Sequence, residues 1–79
     1  MMSFGKRIKQ FRANLGLSQE QLAEKLGVSR QAITKWETGR GMPDVKNMII
    51  LAKTFHVTLD ELILQKKEEP ISSHFFESE

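Results

Sequence analysis

Between Gly27 and Gly39 the chain reads GVSRQAITKWETG, a short stretch whose residue types sort by angle. With Ile33 innermost and a turn of about 100° per residue, Ser29, Trp36 and Glu37 lie within about 40 to 60° of it. Gln31, Thr34, Lys35 and Thr38 point away, and Arg30 sits at the edge. One face can anchor the segment. The other offers an amide, hydroxyls and a cation, a set of hydrogen-bond donors and acceptors. Such a face is either plain solvated surface or a reading surface for a partner with polar edges, and the rest of the chain has to decide between them.

Composition removes several classes of function. Seventy-nine residues make one small domain, at a size where a single core is only just sufficient. There is no cysteine, and His56 and His74 are the only histidines, so disulfides, thiolate metal sites and a zinc site are not expected. The longest apolar run, Met48 to Ala52, has five residues. A bilayer span needs roughly 20, so no membrane association is expected and the expected location is the cytoplasm. No phosphate-binding glycine loop, metal-ligand cluster or spaced nucleophile and base is present, so an enzyme is not expected and no cofactor is implied. Charge is uneven: residues 1–56 hold ten Lys or Arg against four Asp or Glu, and residues 57–79 hold two against six. The basic body suits a polyanionic partner.

The elements that would hold the polar face are legible as helices. Phe4, Ile8, Phe11 and Leu15 fall at steps of four, three and four, one helical face, and Gly16 stops it. Ser18 with Gln21 forms a capping box that opens a second helix over about Gln19 to Lys25, burying Leu22, Ala23 and Leu26. Gly27 supplies a left-handed end, and Ser29 caps a third helix from about Arg30 to Thr38 that ends at Gly39. So short a turn forces the second and third helices to cross steeply, the helix-turn-helix geometry. After the loop GRGMP, Asp44 caps a fourth helix with Val45, Met48, Leu51, Ala52 and Phe55 on one face. Thr58 with Glu61 opens a short fifth helix through about Leu64, carrying Leu59, Leu62 and Ile63. No strand pattern occurs, so the expected class is all-α. Residues 66–79 are charged, broken by Pro70 and without periodicity, and read as a tail or linker beyond a domain of residues 1–65. Its Ile71, Phe75 and Phe76 could meet a protein partner.

The segment LGLSQEQLAEKLGVSRQAITKWETGRGMPD closely resembles the phage repressor and Cro family, the Xre-type helix-turn-helix regulators, and the match runs over about residues 4–65. The joint spacing carries it: Ala23 at the helix crossing, Gly27 in the turn, Ile33, then WETG before a loop leading to Pro43. The resemblance implies a compact five-helix, lambda-repressor-like domain that binds double-stranded DNA, with the third helix in the major groove. By matching position, base contacts fall on Arg30, Gln31 and Lys35, with Ser29, Ala32 and Thr34 secondary. The residue chemistry agrees independently: Gln pairs with adenine N6 and N7, Arg with guanine O6 and N7, and Ala or a Thr methyl touches a thymine methyl. Phosphate contacts fall on Gln19, Thr38 and Arg40, with Lys46 weaker because its loop differs among relatives. Arg12 and Glu37 match a partly buried ion pair.

The resemblance also implies a homodimer that sets two heads on a palindromic operator, with Val57, Leu59, Leu62 and Ile63 as the contact, although Leu62 and Ile63 could equally close the core. Trp36, about 60° from the core centre, reads as a half-buried packing residue, not a stacking site. His56 reads as a favourable contact at a helix C-terminus. Two functional classes remain: a transcriptional regulator, expected to be a repressor, and a protein-interaction or antitoxin-type module on the same fold. The retained Arg30, Gln31 and Lys35 favour the first.

Overall fold

The computed structural model describes residues 3–64. They form five helices: α1 (Phe4–Asn14), α2 (Gln19–Leu26), α3 (Arg30–Glu37), α4 (Val45–Phe55) and α5 (Leu59–Leu64), with no strand among the described residues. The tail and its Ile71, Phe75 and Phe76 lie outside them.

One device starts every helix. A side-chain oxygen just before the first turn accepts the backbone N–H three residues on: Ser3 from Lys6, Ser18 from Gln21, Ser29 from Ala32, Asp44 from Asn47 and Thr58 from Glu61. In two cases the reciprocal bond closes the capping box, Gln21 Oε1 accepting from Ser18 N–H at 2.8 Å and Glu61 Oε1 from Thr58 N–H at 2.9 Å. A second device ends α1 to α4. A residue with positive φ follows the helix, and the next N–H reaches back to a carbonyl of the last turn: Leu17 to Arg12, Val28 to Ala23, Arg40 to Lys35 and Val57 to Ala52. Glycine takes the left-handed position at Gly16, Gly27 and Gly39, and His56 takes it after α4 with φ 58°.

Each helix contributes one fully enclosed side chain to a single core: Ile8, Leu22, Ile33, Leu51 and Leu62. Burial of such a side chain stabilises by about 1.5 to 3 kcal/mol. Ala23 and Leu26, Trp36, and Ala52 and Phe55 extend the core, and the Phe11 and Phe55 rings meet with centroids 5.3 Å apart. The third helix packs on both α1 and α2, and α5 on α1 and α4.

Periodicity misplaces two apolar residues. Val45, expected on the buried face, is 73% exposed as the first residue of α4, while Pro43 two positions before it is buried. Leu15, last of the α1 stripe, is likewise exposed, as the residue that caps the helix. Leu62 is fully buried, so its side chain closes the core and is removed from the expected subunit contact.

Two residues of α1 have roles that the apolar spacing does not show. Gly5 lies against the end of α3: a Cβ there would stand 2.5 Å from the Trp36 carbonyl oxygen and 2.6 Å from that of Glu37. This approach closes the first turn of α1 over Trp36, which is buried instead of half-buried. Arg7 is buried beside Ile8, and its guanidinium donates from Nε to the Leu62 carbonyl at 2.8 Å and from Nη2 to the Ile63 carbonyl at 2.7 Å. It thereby caps the C-terminal carbonyls of a six-residue helix that is too short to persist alone. Burial lowers the Arg7 pKa from its ordinary value.

Candidate nucleic-acid interface

The polar face stands on α3 because its other side is fixed. Ile33 and Trp36 are buried, while Ser29, Arg30, Gln31, Thr34, Lys35 and Thr38 are exposed, and Ala32 is half-buried against the core. Ser29 Oγ accepts the Ala32 N–H at 3.2 Å, which fixes the start of the helix and leaves the hydroxyl proton of Ser29 to donate elsewhere. Arg30, Gln31 and Lys35 therefore project from a helix anchored at its first turn and along its back. A single α-helix with this width of free surface fits a B-DNA major groove.

Around that face the remaining candidates fall into two groups. Arg40, after the end of α3, and Lys46, on the first turn of α4, are exposed cations. Gln19 and Thr38 are already engaged inside the protein. Thr38 Oγ1 donates to the Thr34 carbonyl at 2.8 Å, so as placed it has a lone pair and no proton to offer a phosphate oxygen, which only accepts. Gln19, half-buried at the start of α2, donates from Nε2 to Glu37 Oε1 at 2.9 Å, and its Oε1 accepts from Thr34 Oγ1 at 3.1 Å.

Beneath the face lies an ion pair. Arg12 Nε donates to Glu37 Oε2 at 2.7 Å and Nη2 donates to Oε1 at 3.1 Å, while Nη1 donates to the Leu17 carbonyl at 2.9 Å. The side chains are 14% and 3% exposed. The carboxylate at the end of α3 is thus gripped by α1 and touched by α2, which fixes the tilt of the polar face against both supporting helices. The α5 candidates separate: Leu59 and Ile63 are exposed at 40% and 36%, Val57 is partly buried against the core, and Leu62 has no surface.

Sequence reasoning missed Gly5, Arg7 and the internal engagement of Gln19. Gly5 carried a signal, since an isolated glycine inside a helical pattern is costly and marks a close backbone approach. Arg7 carried none, because a spacing count of apolar residues passes over a buried cation.

Among the described residues no group of His, Asp or Glu could hold a metal ion, and no helix is long and apolar enough to cross a membrane.

Comparison with known proteins gives consistent relatives. A family model described as helix-turn-helix matches residues 8–62. The chain is 48% identical over 62 residues to the HTH-type transcriptional activator BcrR of Enterococcus faecalis, covering 78% of this chain and 30% of BcrR. It is 40% identical over 63 residues to an HTH-type transcriptional regulator of Methanocaldococcus jannaschii, covering 80% of this chain and 96% of that one. Among solved structures it resembles the P22 c2 repressor in complex with a synthetic operator, with a TM-score of 0.79 and 30% identity over 84% of this chain and all of that one. It also resembles SinR, the master regulator for biofilm formation, in complex with DNA, with a TM-score of 0.69 and 30% identity over 75% of this chain and 95% of that one. The chain spans less than a third of the length of BcrR, so likeness to that protein concerns this domain alone. Five capped helices around one core, the tight α2 to α3 turn at Gly27 and the match over residues 8–62 place the chain in the helix-turn-helix family, with a lambda-repressor-like fold.

Proposed function

We propose that the chain is a DNA-binding transcriptional regulator that reads double-stranded DNA with the exposed face of α3 in the major groove. The observation that carries this reading is the division of α3 itself: Ile33 and Trp36 are locked in the core while Arg30, Gln31 and Lys35 stand free together. Their chemistry matches base edges. Arg30 and Lys35 can donate to guanine O6 and N7, and Gln31 can pair with adenine N6 and N7. Ser29 retains a hydroxyl donor beside them, and the Ala32 methyl can meet a thymine methyl. Arg40 and Lys46 supply phosphate contacts, which position the protein and carry much of the affinity without choosing sequence.

The reading extends to a dimer on a palindromic site. One head covers few base pairs, and two related by a twofold axis address half-sites about one turn, ~34 Å, apart. Leu59 and Ile63, exposed on α5, with Val57 at their edge, form the contact. As a regulator of this class the protein acts on DNA in the cytoplasm, as a repressor wherever its site overlaps a promoter.

Selection from a pool of randomised duplexes tests the reading. Enrichment of a palindrome whose half-sites are about one turn apart, bound by two chains in sedimentation, is the expected result. A pool that stays random after repeated rounds, at low salt as well as high, refutes sequence-specific DNA binding and transfers the fold to protein recognition.

A further inference from the structure

Thr34 and Gln19 meet where α2 begins beside the outward face of α3. The Gln19 carboxamide is oriented from both ends, its oxygen accepting from Thr34 Oγ1 at 3.1 Å and its nitrogen donating to Glu37 Oε1 at 2.9 Å. Reversed, its oxygen would face the Glu37 carboxylate, two acceptors with no proton between them. Glu37 cannot swing aside to relieve that clash, because Arg12 grips both of its oxygens.

A carboxamide nitrogen carries two protons. Glu37 takes one from Gln19, and no other described group accepts the second. That proton sits on the first residue of α2, where free backbone N–H groups and the helix dipole also favour an anion. Thr34, in turn, has one hydroxyl proton, with Gln19 Oε1 at 3.1 Å and the Arg30 carbonyl at 3.2 Å as its acceptors. It has none left for a base edge.

We propose that Thr34 is a positioning residue that acts through Gln19: it holds the carboxamide as a one-way N–H donor toward a phosphate oxygen of the duplex backbone. Thr34 thereby raises affinity for every duplex alike and donates no hydrogen bond to a base. The inference rests on the duplex-binding reading above and assigns its own role to a residue that the sequence placed among secondary base contacts.

Thr34→Val keeps the β-branched shape and removes the hydroxyl, and Thr34→Ser keeps the hydroxyl. At fixed salt, Thr34→Val is expected to weaken binding by about 3- to 10-fold, the loss of one hydrogen bond, on the enriched duplex and on a scrambled duplex of equal length. Thr34→Ser restores most of it. In a Gln19→Ala background Thr34→Val costs nothing further. A loss confined to one base-pair position, or one that multiplies with Gln19→Ala, overturns the proposal.

A second readout needs no DNA. The side-chain amide resonances of Gln19 in the free protein should move toward those of a solvated amide in Thr34→Val and stay in place in Thr34→Ser. Unmoved resonances in Thr34→Val overturn the positioning role. A wild-type protein that binds neither duplex overturns the duplex-binding reading and the affinity role with it, while the amide resonances still decide whether Thr34 orients Gln19.

Discussion

Arg12 and Glu37 meet across 25 residues of sequence in a two-pronged contact, Nε to Oε2 at 2.7 Å and Nη2 to Oε1 at 3.1 Å, with the carboxylate 3% exposed. A planar guanidinium matched to both carboxylate oxygens is the geometry in which an ion pair is most directional. It joins the last turn of α1 to the last residue of α3, so the polar face inherits its tilt from α1. Because the pair is nearly dry, its net contribution to stability is small beside the cost of breaking it from one side.

Glu37→Ala leaves the Arg12 guanidinium without its carboxylate and Gln19 without its acceptor. The expected loss is about 3 kcal/mol or more, which lowers the thermal midpoint of a domain this small by roughly 10 to 20 °C. An unchanged midpoint in calorimetry would show the pair to be dispensable.

Gly5→Ala should destabilise although alanine is the better helix former. The added methyl carbon would stand 2.5 and 2.6 Å from two carbonyl oxygens of α3, both backbone, so one helix must move. Overpacking of this kind costs about 1 to 3 kcal/mol, against a gain in propensity of about 1 kcal/mol. Denaturation midpoints decide the sign, and a net stabilisation would refute the close approach.

Arg7→Met removes the donors that cap α5 at Leu62 and Ile63 while keeping an apolar stem of similar length. Hydrogen bonds from a charged group are worth about 1.5 to 3 kcal/mol, and a six-residue helix is too short to persist on its own backbone hydrogen bonds. Amide exchange in α5 should therefore accelerate well before that in α1 to α4. Uniform acceleration across the domain would mean that α5 has no separate dependence on Arg7. Arg7→Lys should not rescue, since an ammonium cannot span both carbonyls as the guanidinium fork does.

His56→Gly should stabilise the domain by about 0.5 to 1 kcal/mol, because a side chain held at positive φ pays a steric cost that glycine avoids. The other helix ends of this kind, after α1, α2 and α3, already use glycine. A lower thermal midpoint in His56→Gly would mean that the imidazole makes a contact outweighing its backbone strain.

How much of this was legible in the sequence depends on the kind of interaction. Caps are local: Ser18 with Gln21, Ser29, Asp44, and Thr58 with Glu61 announce themselves by type and spacing, as do Gly16, Gly27 and Gly39 at helix ends. Periodicity gives an angle around the helix axis and not a depth along it, so Val45 shares the angle of the buried face yet is exposed at the helix start. Leu62 and Ile63 are neighbours on a short helix, and only packing distinguishes the buried one from the exposed one. Long-range polar contacts leave the least trace. The bond from Arg7 to Leu62 spans 55 positions, and nothing near Arg7 in sequence marks it. At the polar face the exposed residues were legible by angle, whereas the inward bonds of Gln19, Thr34 and Thr38 depend on how α2 and α3 cross.

Fluorescence anisotropy separates base reading by the α3 face from backbone contacts by the cations around it. An enriched duplex and its single-base variants are titrated at several salt concentrations with wild type, Gln31→Ala and Arg40→Ala. Gln31→Ala is expected to lose about 1 to 3 kcal/mol of discrimination at one base pair and keep its salt slope. Arg40→Ala should weaken binding to every duplex and flatten the slope of log affinity against log salt by about one. If Gln31→Ala weakens all duplexes equally, or neither variant differs from wild type, the exposed face of α3 is not the reading surface.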